Sequence, residues 1–129
     1  MTTPLWCLAA ACVLPYVWIL VSARERVRMG YDNRHPRQQI ARLEGAAARA
    51  IGAHQNGFEA LATFAPAVFT AHLAGADPAW LARLALLFVA CRVLHGVCYV
   101  ADWPLARSAV WGAGALSTLG LFALAAAAG

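Results

Sequence analysis

Four apolar stretches divide the chain: Pro4 to Val21, Ala46 to Ala74, Trp80 to Val100 and Leu105 to Ala128. None alternates with the two-residue period of a strand, and Ala and Leu dominate them, so the pattern predicts helices. Each reaches about 18 residues or more, and about 20 helical residues cross the hydrocarbon of a bilayer. Helices are therefore expected over residues 4–23, 46–74, 79–101 and 105–128. Between the first two lies a polar segment, 24–45. The connections Gly75-Ala76-Asp77-Pro78 and Asp102-Trp103-Pro104 are too short for anything but antiparallel neighbours. An all-α, integral-membrane four-helix bundle follows, as one domain over 1–129.

Composition agrees with lipid as the main solvent. The chain is 62% hydrophobic and only 12% charged, with mean hydropathy +0.62. A soluble domain carries about twice that charge, and a disordered chain would be polar and highly charged. Trp6, Trp18, Trp80 and Trp103 are expected near span ends, where aromatic belts form.

Charge sets an orientation. All ten basic residues are Arg, and Arg24, Arg26, Arg28, Arg34, Arg37, Arg42 and Arg49 crowd the first connection and its flank. By the positive-inside rule this loop is cytoplasmic, which places both termini on the opposite side. The cluster lies between apolar spans with no aromatic platform among it, so no nucleic-acid partner is expected. The first span has no basic residue ahead of it and is read as a retained helix rather than a signal peptide.

Polar residues inside spans are costly and invite a functional reading. In the second span Arg49, Gly52, Asn56, Glu59 and Thr63 recur at three- and four-residue spacing, which puts them on one stripe. Arg92, His95, Tyr99 and Asp102 form a second stripe on the third span, and the fourth opens with Arg107 and Ser108, Trp111 following one turn on. At 1.5 Å per residue, Glu59 lies roughly 18 Å and Asn56 about 13 Å from the Arg-rich face. On the antiparallel third span Arg92 lies roughly 15 Å and His95 about 10 Å from that face. Glu59 and Arg92 are thus expected to pair. Such a pair can simply bind helix to helix, or it can belong to a ligand site. The surplus of guanidinium over carboxylate suits an anionic ligand.

The remaining polar residues carry less. His35 and His54 read as a loop residue and a residue at the start of the second span; His72 and Arg83 read as interfacial side chains. Cys7, Cys12, Cys91 and Cys98 read as small apolar residues. Cys91 and Cys98 share a face with His95 but stand roughly 10 Å apart along the axis, too far to meet on one ion. No metal site and no disulfide are expected.

Ala53-His54-Gln55-Asn56-Gly57-Phe58-Glu59, with Arg92-Val93-Leu94-His95-Gly96-Val97-Cys98-Tyr99 and Arg107-Ser108, resembles the MAPEG family, the membrane-associated proteins in eicosanoid and glutathione metabolism. Ser22-Ala23-Arg24 is similar to the family's first-helix exit, and the resemblance covers essentially the whole chain. It implies a homotrimer that binds glutathione between subunits near the cytoplasmic side and acts on lipophilic electrophiles as a transferase or peroxidase. Arg24, Asn56, Glu59, Arg92, His95 and Tyr99 then look like glutathione-binding residues, and Arg107 like the arginine that activates the thiol. A guanidinium stabilises the thiolate, which is the nucleophile. Gly52, Ala60 and Glu25 depart from the eicosanoid-forming pattern and resemble a bacterial branch, which implies a bacterial inner membrane. The alternative is a non-catalytic scaffold or accessory subunit of a larger membrane complex.

Overall fold

The computed structural model describes residues 1–129 and contains helices only. These are α1 (Thr3–Arg28), α2 (Pro36–Ile40), α3 (Gly45–Leu73), α4 (Pro78–Val100) and α5 (Pro104–Ala128). Proline stands in the first turn of α1, α2, α4 and α5, where its missing N–H costs nothing. Asp77 caps α4 by accepting the Trp80 N–H at 2.8 Å.

The first helix does not stop where its apolar pattern stops. It continues through Arg24 to Arg28, because Arg and Glu are good helix formers and Arg28 pairs with Glu25 at 2.8 Å one turn back. It ends at Gly30, whose φ of +77° only glycine adopts readily. The segment expected to be loop throughout, 24–45, thus holds the last turn of α1 and the short α2.

The helices pack mainly as the pairs α1–α3 and α4–α5, joined where α3 meets both α4 and α5 and where α1 meets α4. The main core gathers Cys7 and Ala11 of α1, Phe64, Ala67, Val68 and Ala71 of α3, Leu81, Ala85 and Phe88 of α4, and Leu121 and Ala125 of α5. Phe64 and Phe88 stack face to face with centroids 3.7 Å apart. The alanines let backbones approach closely. Two glycines set the seat of α1: Gly57 faces Pro15, and Gly96 lies against the indole of Trp18. Trp18 packs over Gly96, whereas Trp6, Trp80 and Trp103 stand exposed near helix ends.

Three helices, α1, α4 and α5, are long and apolar enough to cross a membrane. Outward-facing Val13, Leu20, Leu86, Leu94, Leu116 and Leu119 suit a hydrocarbon solvent. The 29-residue α3 has the length to cross but does not reach the same hydropathy, because Arg49, His54, Gln55, Asn56 and Glu59 interrupt it. The polar groups of α3 and α4 lie between the main core and the Arg-rich end.

Candidate functional site

Arg92 is the centre of the polar cluster. Its residue surface is only 6% exposed, and its Nη2 donates to Asn56 Oδ1 at 2.8 Å. The same nitrogen lies 3.1 Å from His95 Nδ1. A guanidinium can only donate, so Nδ1 accepts and the neutral ring carries its proton on Nε2. Asn56 turns its own amide outward, donating Nδ2 to Glu59 Oε2 at 3.0 Å. The carboxylate and guanidinium expected to pair are thus bridged by an asparagine rather than joined directly. Asn56 can do this because one end accepts and the other donates.

The cluster extends toward the Arg-rich end through rings. His95 meets Tyr99 edge to face at 5.5 Å, and the Arg107 guanidinium lies 4.5 Å over the Tyr99 ring. The structure therefore brings Asn56, Glu59, Arg92, His95, Tyr99 and Arg107 into one connected set. Arg24 is not part of it: it stands exposed near the end of α1.

Arg49 shares the sequence stripe of Asn56 but is committed elsewhere. Its Nε donates to the Val100 carbonyl at 3.1 Å, and its Nη1 lies 3.6 Å from Asp102 Oδ2. It satisfies a carbonyl at the end of α4, where no intrahelical donor remains. His54 lies three turns into α3 rather than at its start, and its Nδ1 is 2.9 Å from the Pro15 carbonyl. No cluster of metal-ligating side chains is present, Cys91, His95 and Cys98 included.

A cavity of about 210 Å³ opens between α3, α4 and α5. Asn56, Glu59, Ala60 and Thr63 of α3, Phe88 and Arg92 of α4, and Trp111, Ala115 and Thr118 of α5 line it. Arg92 Nε is buried with no hydrogen-bond partner. Polarity along the chain does not mark Phe88 and Trp111 as lining residues. Phe88 precedes Arg92 by four residues on the same face, a signal present in the spacing.

A partly polar cavity beside a buried guanidinium thus lies among the membrane-length helices of an integral-membrane protein. The chain belongs to the MAPEG family, which matches residues 3–127. No individually curated protein matches it.

Proposed function

We propose that this protein is a membrane glutathione-dependent transferase or peroxidase that acts on lipophilic electrophiles. The observation that carries this is the buried Arg92 guanidinium, held by Asn56 beside the Glu59 carboxylate at a cavity that Phe88 and Trp111 also line. Glu59 and Arg92 offer both charges to a zwitterionic tripeptide, and Phe88 and Trp111 offer apolar surface to a lipid-soluble partner. Membership of a family that includes glutathione transferases and peroxidases supports the same reading.

In this reading Asn56, Glu59, Arg92, His95 and Tyr99 hold glutathione. Arg107 stabilises its thiolate, lowering the barrier to attack. In conjugation the sulfur forms a bond to the electrophilic carbon, and the leaving group departs with the bonding electrons. The thiol proton passes to solvent.

A homotrimer completes the site. The cavity of one chain is smaller than the ~300–1,000 Å³ of pockets that enclose a ligand. Gln55, Glu59, Thr63 and Thr70 also form an exposed polar stripe along α3, too costly to leave against lipid. A second copy of α3 covers it, α3 becomes the fourth membrane helix, and Arg24 of a neighbouring copy reaches the ligand. Residues 1–129 act as one domain. The Arg-rich segment faces the cytoplasm of a bacterial inner membrane, and the termini face away.

The test is a glutathione titration of the detergent-solubilised protein, followed by calorimetry and by the ultraviolet absorbance of the thiolate. Saturable thiolate is expected, with Arg107→Ala binding glutathione but losing the thiolate signal and Arg92→Leu losing binding. Absence of binding at millimolar glutathione overturns the proposal.

A further inference from the structure

α3 grips the end of α4 at two points one turn apart, and both bear on Tyr99. Arg49 Nε donates to the Val100 carbonyl at 3.1 Å, and its Nη1 lies 3.6 Å from Asp102 Oδ2. The backbone is thereby held one residue beyond Tyr99. At that corner Asp102 takes a left-handed φ of +62°, and its N–H bonds the Tyr99 carbonyl at 3.3 Å. Gly52 receives the other end of the residue: the Tyr99 hydroxyl and Cζ lie so close that they leave no room for a Cβ. Residues three apart share a helix face, so the two grips act from one side.

What rests on that ring is Arg107. Its guanidinium lies 4.5 Å from the Tyr99 centroid and makes no hydrogen bond or ion pair within the chain. Arg107 stands near the start of α5, where the helix dipole disfavours a cation, and the ring face offsets that repulsion. A π face attracts a cation without fixing a bond direction, so the guanidinium goes where the ring goes. A charged group that acts on a developing anion must keep its place to within ~0.5 Å. Neither Arg49 nor Gly52 lines the cavity, so each can bear on the chemistry only through Tyr99.

We propose that Arg49 and Gly52 form a seat on α3 that positions Tyr99 and, through its ring, the Arg107 guanidinium for thiolate formation. The residue types fit that role. A planar guanidinium reaches two acceptors on one corner, which an ammonium does less well, and only glycine leaves the ring its space. The proposal rests on the reading that Arg107 stabilises the glutathione thiolate, and it names what holds Arg107 there.

The test uses the full chain in detergent with fluorotyrosine at Tyr16, Tyr31 and Tyr99. Fluorine NMR needs no ligand. Tyr99→Phe identifies the Tyr99 line, and Arg107→Ala shows where that line falls without the cation. Arg49→Met keeps the packed stem and removes both donors, whereas Gly52→Ala pushes the ring from its tip. Both are expected to move the Tyr99 line and to leave those of Tyr16 and Tyr31 in place, which also shows that the fold persists. At saturating glutathione both are expected to bind it as the unsubstituted protein does. The pH midpoint of the thiolate absorbance then rises, with several-fold less thiolate at neutral pH. A side chain that merely stabilised the fold would lower the unfolding temperature and leave that midpoint alone. Gly52→Ala changes no charge, so a rise confined to Arg49→Met reflects lost charge and overturns the proposal. A Tyr99 line that stays put in both variants overturns it too, as does a line that moves with no change in midpoint. If the unsubstituted protein forms no thiolate, the functional reading itself fails; an intact thiolate with unmoved variants sinks the seat alone.

Discussion

The hydroxyl of Tyr99 occupies the space that a side chain on Gly52 would need. A Cβ built on Gly52 lies 2.7 Å from the hydroxyl oxygen and 2.8 Å from Cζ. Here the space belongs to the ring on which Arg107 rests.

Gly52→Ala is therefore expected to displace Tyr99 and destabilise the fold by about 1–3 kcal/mol, the usual range for overpacking. Thermal unfolding in detergent measures it. In a Tyr99→Ala background the same change is expected to cost little, because the two effects share one contact.

Asn56→Leu removes the bridge between Arg92 and Glu59 while keeping the volume. It leaves the buried Arg92 Nη2 with His95 Nδ1 as its one acceptor, an effect of about 1–3 kcal/mol. The double variant Asn56→Leu/Arg92→Leu is expected to recover part of that loss, since no buried guanidinium remains and only His95 Nδ1 loses its donor. Denaturation midpoints of the two variants decide it.

At the α4–α5 corner the two partners of Arg49 are unequal. Asp102 is 66% exposed in its side chain and 3.6 Å away, so Asp102→Ala is expected to cost less than about 1 kcal/mol. Arg49→Ala also releases the Val100 carbonyl and is expected to cost more. Amide exchange at residues 99–103 separates them: protection falls in Arg49→Ala and holds in Asp102→Ala.

Gly96→Ala places a methyl group inside the indole of Trp18, which must move with the α1 backbone behind it. Loss of cooperative unfolding is expected. Gly112 has open space around it, and Gly112→Ala is expected to leave stability unchanged or raise it by up to about 1 kcal/mol.

Asp32 sets a pH response in the connection. The His35 N–H first, then that of Arg34, lowers its pKa in the folded state. The turn's stabilisation is therefore present at neutral pH and is lost as pH falls through that depressed value. Amide exchange at Arg34 and His35 is expected to speed up in acid, and Asp32→Asn to remove the pH dependence.

Much of the site was legible in the chain because helical spacing is rigid. Three- and four-residue intervals put Asn56 beside Glu59 and lined up Arg92, His95 and Tyr99. Spacing along one helix says nothing about which neighbour a side chain chooses. Arg49 has the period of Asn56 but reaches the end of α4. His54 bonds to α1, and Trp18 is sunk over Gly96. Gln39, in a polar segment, reads as solvated until its two carbonyl partners are seen.

Hydrophobic length and charge distribution alone determined an all-helical membrane chain with a basic end and polar stripes on facing helices, since both depend only on order along the sequence. The tertiary structure decided that Asn56 mediates between Glu59 and Arg92 and that Arg24 stands apart. It also decided that the Gln39 amide is buried against the carbonyls of Arg26 and Gly30. Those outcomes depend on distances between segments remote in sequence, fixed only once glycine and alanine let the helix backbones close together.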